Sequence, residues 1–502
     1  MVTSTSTLVL YDYQQQAIDE AYSAVAAGRL RPMVQMPTGA GKTETGVKFI
    51  QRVLAKGKRV VFVVPAIELI DQTVERLAKY GVTCVGVIQA DHPGTDRSQP
   101  VQVASVQTLA RRMLPETDLV IVDEAHQLFK VIIAWMAERT TLPFIGLSAT
   151  PWSKGLGKHY TDLIRPVTLQ QLIDQKRLTP YRAYAPSHPD LTGVKTVAGD
   201  YDEAGAAEAM DKPKLTADIV TTYLTKGENR PTLCFAVNRA HARSLADEFE
   251  KAGVTTGYID GFTEREERKV IAQAFADGRV KVVVNVGVLT TGVDWDVRAI
   301  ILARPTKSEM LYVQIIGRGL RTAQGKADCL IFDHSDTTLN LGFVTDIHHD
   351  ELDDGKRKDT QKATVKKVRE LLLPKECSSC HALKPAGVHA CPECGFAPAK
   401  RQEIETAAGE LFQVAGGKAK ADTQTKQRFW SGLLWYVDQR GKSEGWASHR
   451  YKDRFGVWPR GLRAVPRPPD VEVHNWVRAG SIQYAKRMEK AAKAKGGSNA
   501  SA

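Results

Sequence analysis

The sequence predicts an α/β protein with two parallel-sheet domains in tandem, followed by a small cysteine-bearing element and a small C-terminal module. Three observations carry this. At 502 residues the chain exceeds what one hydrophobic core organises. Twice along it, short apolar runs alternate with helix-patterned stretches, as when each strand is followed by a crossover helix. Four of its seven cysteines then crowd between Cys377 and Cys394.

The first alternation runs from Met33 to Thr150, with strands expected at Val60–Val64, Val101–Val106, Leu119–Val122 and Phe144–Leu147. Helices are expected at Thr43–Leu54 and Glu68–Lys79. The second resumes with strands at Thr232–Ala236, Thr256–Ile259, Val280–Asn285, Ala299–Leu302 and Cys329–Phe332, and helices at Ala240–Lys251 and Glu266–Ala276. Between them Tyr181–Lys214, rich in Pro, Gly, Ala and Asp, reads as the interdomain crossing plus an irregular insertion. The expected domains are therefore 1–180 and 181–345. A charged linker at 346–376 then carries a solvated helix away from the second domain, before a cysteine element at 377–397, a basic aromatic module at 426–490 and a disordered tail at 491–502.

A hydrophobic fraction of 43% with 25% charged residues excludes disorder as the dominant state. Met1–Leu10 lacks a basic leader segment and no stretch is long enough to cross a bilayer, so a cytoplasmic location without a membrane partner is expected. Cys84, Cys234 and Cys329 are scattered, as in a reduced protein rather than a disulfide framework. Residues 400–502 hold 20 Lys and Arg against 10 Asp and Glu, so +10 of the net +12 lies in the last fifth. Such a tail suits a polyanionic partner or is merely solvated.

Met36-Pro37-Thr38-Gly39-Ala40-Gly41-Lys42-Thr43 follows an apolar run and opens a helical one, the setting of a phosphate-binding loop. Pro37, Thr38, Gly39, Ala40 and Gly41 would present backbone N–H groups to phosphates, Lys42 a point charge, and Thr43 a hydroxyl to Mg²⁺. Downstream, Leu119–Val122 runs into Asp123-Glu124-Ala125-His126. Asp123 is the expected second Mg²⁺ residue and Glu124 the group that orients or deprotonates water. Gln314-Ile315-Ile316-Gly317-Arg318-Gly319-Leu320-Arg321 could present Arg318 and Arg321 to a nucleotide across a cleft, Gln314 beside them, with surface salt bridges as the alternative.

In this order the strings resemble superfamily II helicases of the DEAD/DEAH-box type, which implies two RecA-like domains and ATP as the nucleotide. Leu10-Tyr11-Asp12-Tyr13-Gln14 resembles the adenine-recognising motif, implying Gln14 as a base contact. Pro65-Ala66 and Val106-Gln107-Thr108-Leu109 resemble strand-contacting motifs, implying roles for Pro65 and Thr108. Ser148-Ala149-Thr150 resembles the coupling motif, to which His126 is joined, and Thr290-Thr291-Gly292-Val293-Asp294 resembles the motif touching both backbone and nucleotide through Thr291, Gly292 and Asp294. Val283–Arg321 and Asp333–Gly342 are similar to bacterial RadD-type repair helicases and phage-encoded relatives. The resemblance implies an ATP-dependent helicase or translocase acting on DNA, with RNA possible, in repair, recombination or phage replication. A restriction-system motor subunit, a DEAH-type RNA helicase and a zinc-bearing scaffold without motor activity are the alternatives.

Cys377-Ser378-Ser379-Cys380 and Cys391-Pro392-Glu393-Cys394 form two C-x₂-C pairs suited to a closed tetrahedral Zn²⁺ site. Five of eight tryptophans, Trp430, Trp435, Trp446, Trp458 and Trp476, fall in the basic module among Arg450, Lys452 and Arg454. They would build its core or stack on unpaired bases.

Overall fold

The computed structural model describes residues 8–89, 92–290, 294–356, 372–398 and 421–481. The chain divides into two compact units, Met1–Lys400 and Arg401–Ala502.

In the first unit, β1 (Pro32–Gln35), β2 (Val60–Val64), β3 (Val85–Ile88), β4 (Val101–Ser105), β5 (Leu119–Asp123), β6 (Phe144–Ser148) and β7 (Asp162–Ile164) form one sheet, in the order β3-β4-β2-β5-β6-β1-β7. Every pairing is parallel. Helices cover a parallel sheet on both faces, so β2 reads Val-Val-Phe-Val-Val without alternation and is buried throughout.

A second all-parallel sheet follows, from β8 (Tyr181–Tyr184), β11 (Thr232–Ala236), β12 (Thr256–Ile259), β13 (Val282–Asn285), β14 (Ala299–Ala303) and β15 (Cys329–Asp333). Their order is β12-β13-β11-β14-β15-β8. Between β8 and β11 lie a two-stranded hairpin, β9 (Thr196–Val197) with β10 (Asp200–Tyr201), and helices Glu203–Met210 and Pro213–Lys226.

Two expectations are corrected. Tyr181–Lys214 is not an irregular crossing: its first four residues are the edge strand beside β15, and its last third is helical. A four-residue strand, half-buried at its first two residues and buried at its last two, is too short to give a periodic signal. Nor does the charged segment after Phe343 lead straight away from the second domain. Residues 346–356 are not helical and run back onto the first sheet's domain. Asp350 Oδ1 lies 2.6 Å from Arg165 Nη2, Asp353 O accepts from Gly157 N at 2.8 Å, and Leu352 packs beside Leu156 and Tyr160. His349 stacks 4.9 Å from Trp152 while its Nε2 meets Glu309 at 2.7 Å. This strap is a second chain crossing between the two sheets; the expected helix beyond residue 356 lies outside the described residues.

The cysteine element carries the hairpin β16 (Lys375–Glu376) and β17 (Leu383–Lys384). It docks on the free edge of β8, where Ala185 N donates to His381 O at 2.9 Å and Tyr184 Oη to Glu393 Oε2 at 3.1 Å. Cys377, Ala382 and Cys391 join the core that packs behind the second sheet. An edge strand otherwise exposes unpaired backbone groups, and this element covers them.

In the second unit, helices Thr423–Arg440 and Glu444–Phe455 pack with a helical segment beginning at residue 471 around Phe429, Trp430, Leu433, Tyr451 and Val473. Trp435, Trp446 and Trp476 pack against this core, so four of the five tryptophans are structural. Residues 482–502, with the expected tail, lie outside the described residues. No described helix is long and apolar enough to cross a membrane.

Candidate nucleotide site

The turn after β1 is shaped by two glycines. Gly39 and Gly41 have φ of 85° and 80°, and Gly41 caps the Lys42–Leu54 helix in the left-handed region that side chains other than glycine rarely adopt. A side chain on Gly41 is also barred by contact, since its Cβ would lie 2.1 Å from Gln14 Nε2. Gln14, 2% exposed, donates to Ala40 O at 3.1 Å and Gly41 O at 3.3 Å, while its Oε1 accepts from Tyr11 N at 2.9 Å. The first helix is thereby bonded to the turn.

β5 ends at Asp123, and Glu124 follows with φ of 48°, an uncommon backbone for a glutamate, as its N–H donates to Asp123 Oδ1 at 2.9 Å. Lys42 Nζ lies 2.9 Å from Asp123 Oδ1 and 2.5 Å from Glu124 Oε1. Burial alone would push the ammonium down and the Glu124 carboxyl up. The opposite charges outweigh it: Asp123 and Glu124 hold Lys42 above the usual lysine range, and Lys42 with His126 holds Glu124 below the usual carboxylate range. Thr43 Oγ1 accepts from Arg76 Nη1 at 2.9 Å. Arg76 carries no motif signal, and packing of the Ile70–Lys79 helix alone brings it in.

The second sheet's domain closes this turn from above. A Cβ on Gly317 would lie 2.8 Å from Thr38 Cβ, and one on Gly39 would lie 2.7 Å from Leu178 Cδ2. The Glu309–Gly319 helix thus approaches the phosphate-binding turn as closely as glycine permits. Arg318 Nε donates to Thr290 O at 3.0 Å, and burial with the neighbouring Arg321 charge pushes its guanidinium down to about 10. Arg321 pairs with Asp294. Pro37, Thr38, Gly39, Lys42, Thr43, Pro65, Asp123, Glu124, Asp294, Gln314, Arg318 and Arg321 all line one cleft of about 550 Å³, which suits a nucleotide-sized ligand.

A line of polar contacts leads out of it. His126 Nδ1 lies 3.3 Å from Glu124 Oε2 and 2.9 Å from Ser148 Oγ, Ser148 Oγ accepts from Thr150 N at 3.1 Å, and Thr150 Oγ1 accepts from Gln314 Nε2 at 3.2 Å. Thr108 stands apart, buried behind β4, with its hydroxyl on Ser105 Oγ at 3.0 Å. Thr291 and Gly292 lie outside the described residues. Sequence reading missed Arg177 and Leu178 as well as Arg76, because all three reach the cleft from elements without motif character.

The four cysteine sulfurs lie within 4.8 Å of one another, with Cys377 Sγ 3.7 Å from Cys394 Sγ and Cys380 Sγ 3.7 Å from Cys391 Sγ. Metal–sulfur bonds of ~2.3 Å in a tetrahedron put ligand sulfurs about 3.8 Å apart, so the donor set fits zinc. Backbone N–H groups of Ser379 and Cys380 hold the Cys377 thiol down, to about 6.

Two parallel α/β sheets facing one glycine turn, with Arg318 and Arg321 of the second domain lining the same cleft, have the arrangement of a nucleotide-driven two-domain motor. Residues 7–153 match the family model described as type III restriction enzyme, res subunit, and residues 212–323 match the helicase conserved C-terminal domain. A 51.5 kDa protein of a Lactococcus phage is 29% identical over 426 residues, covering 81% of this chain and 88% of the phage protein. IRC3 of Saccharomyces cerevisiae, described as a candidate ATP-dependent helicase, is 32% identical over 356 residues, 65% of this chain and 52% of its own length. The DNA 3′–5′ translocase XPB2 of Sulfurisphaera tokodaii is 25% identical over 364 residues, 63% of this chain and 80% of that protein. This chain therefore spans most of the phage and archaeal proteins but about half of the yeast one. The chain belongs to superfamily II of the helicases, enzymes driven by ATP.

Proposed function

We propose that this chain is an ATP-dependent DNA helicase or translocase. The observation that carries the reading is the two-sided cleft, where Lys42, Asp123 and Glu124 of one domain face Arg318 and Arg321 of the other. Hydrolysis in such a site requires closure, and reopening moves one domain against the other. The turn from Pro37 to Lys42 holds the phosphates, and Thr43 with Asp123 holds magnesium, which when bound neutralises phosphate charge. Thr43 Oγ1, which accepts from Arg76 Nη1, keeps a second lone pair for the ion. Glu124 orients the attacking water, and the two arginines stabilise charge on the transferred phosphoryl group. Gln14 contacts the base beside the turn it supports. The His126–Ser148–Thr150–Gln314 line couples this chemistry to movement, while Pro65, Thr108 and Thr291 belong to backbone-contacting motifs. DNA as the track is supported by the archaeal relative named as a DNA translocase. The chain's setting is repair, recombination or phage replication in a bacterial cytoplasm; the phage relative supports a bacterial cell as the place.

We further assign Cys377, Cys380, Cys391 and Cys394 to one structural zinc that braces β8. A second reading, the motor of a restriction system, is favoured by the family model matched at residues 7–153. ATP turnover measured with single-stranded, forked and duplex DNA and with RNA, at several salt concentrations, tests the first. Stimulation by DNA with an inverse salt dependence is expected. Turnover indifferent to every nucleic acid would overturn it.

A further inference from the structure

The tryptophans and cations of the C-terminal unit separate into two populations. Arg428 pairs with Asp470 and Glu472, Arg454 pairs with Glu472, and Arg450 donates to Trp476 O at 3.0 Å, its guanidinium lying where a side chain on Gly480 would be. These arginines hold the helices together. The loop after the second helix differs. Trp458 is 40% exposed, flanked by exposed Val457, and exposed Lys452, Arg460, Arg463 and Arg467 surround it in sequence. Among the described residues none of these four cations has a carboxylate within 4.0 Å, unlike Arg428 and Arg454. Lys452 Nζ stands 4.4 Å from the Trp458 ring centroid, and His449 meets the ring edge-on at 5.1 Å. Glycines with positive φ, Gly456 at 72° and Gly461 at 74°, bound the turn, and Arg460 N donates to Trp458 O at 2.8 Å.

An indole fixed in a short turn, left out of a core that takes the other four tryptophans of the unit, loses little conformational freedom when a flat apolar surface covers it. Exposed cations around it, with no carboxylate in reach among the described residues, suit a polyanion. A flat ring repeated along a polyanion is a single nucleic-acid strand, whose unpaired bases stack on aromatics while its phosphates meet Lys and Arg. A duplex offers the phosphates but hides the base faces.

We propose that Trp458, with Lys452, Arg460 and Arg463, forms an accessory single-strand-binding surface. This rests on the nucleic-acid motor reading, and the test separates the two. In the full chain, Trp458→Ala and the triple variant Lys452→Gln, Arg460→Gln, Arg463→Gln are titrated with fluorescent oligothymidylate, a hairpin duplex and an oligouridylate across a salt series. Circular dichroism and ATP turnover at saturating DNA are measured alongside. Trp458→Ala is expected to weaken single-strand binding roughly five-fold or more with the salt slope kept, and to leave duplex binding unchanged. The triple variant is expected to flatten the salt slope by about 0.7 for each phosphate contact removed. Comparable loss on thymidylate and uridylate marks stacking on either kind of strand. Folded variants that bind like the parent, or that lose single strand and duplex equally, overturn the proposal. The motor reading stands or falls separately, on DNA-stimulated turnover of the unaltered protein.

Discussion

Gln314, on the helix that carries Arg318, donates its amide to Thr150 Oγ1 at 3.2 Å, joining the second domain to the strand-end motif of the first. Thr150 is in turn one hydrogen bond from Ser148 and two from His126, which touches Glu124. A hydrogen bond of this kind contributes ~0.5–1.5 kcal/mol. Thr150→Val keeps the shape and removes the acceptor. We expect basal ATP turnover within about three-fold of the parent and DNA stimulation reduced by roughly two- to ten-fold. Full stimulation in the variant would remove the line from the coupling path.

Lys42 and Glu124 are bound to each other and enclosed by the cleft. Lys42→Ala should abolish phosphate release and weaken ATP binding, whereas Glu124→Gln should slow turnover by about 10²- to 10⁴-fold while still binding ATP. Arg321→Ala should also spare binding and slow turnover. Phosphate release and nucleotide fluorescence check all three. Normal turnover in Arg321→Ala would mean the arginine does not serve the nucleotide.

Gly317 lies where an added Cβ would sit 2.8 Å from Thr38 Cβ. In a helix Gly→Ala is ordinarily favourable by ~0.8–1 kcal/mol, so Gly317→Ala should not lower thermal stability of the second domain. It should hold the arginine helix off the turn and cut turnover by roughly ten-fold or more. A variant that melts earlier and turns over normally would contradict both halves.

His241 is fully buried, and burial lowers its pKa from 6.5 to about 4; burial, with the charge of His188, lowers that of His334 to about 3. Both are neutral in the folded chain at neutral pH. A folded pKa below the unfolded one means that the unfolded chain takes up the proton first as pH falls, so stability present above pH 6.5 is lost between 6.5 and about 4. At pH 5 each histidine accounts for about 2 kcal/mol of that loss. Urea unfolding at pH 7.5 and 5.0 measures it, and His241→Gln should reduce the difference. An equal midpoint at both pH values would show that these rings are not buried neutral.

The cysteine element covers the β8 edge through Ala185–His381 and Tyr184–Glu393. Purified protein is expected to carry one zinc per chain. Chelation, or Cys391→Ser, should lower the melting temperature by several degrees, since each kcal/mol moves a domain of this size by ~2–4 °C. Metal analysis and calorimetry test this; a chain without zinc that melts unchanged after chelation would refute the assignment.

Much of the fold was legible before any coordinates. Val60–Val64 and Thr232–Ala236 are strands over the residues expected, because a strand buried on both faces is apolar along nearly its whole length. The glycine turn and the acidic strand end were legible for a similar reason, since positive φ at Gly39 and Gly41 and paired carboxylates after β5 are demands met within a few residues.

What the sequence determined alone was local: the glycine turn before the Lys42 helix, Asp123 and Glu124 after an apolar strand, and the four thiols in two tight pairs. The tertiary structure alone decided what distant segments do to one another. It placed Arg76 on Thr43, laid Gly317 against Thr38, turned 346–356 into a strap, and set Arg428 and Arg454 of the last unit against Glu472. None of these leaves a periodic or motif signal, because each depends on a contact between segments far apart in the chain, and such contacts are fixed by packing rather than by the spacing of neighbours.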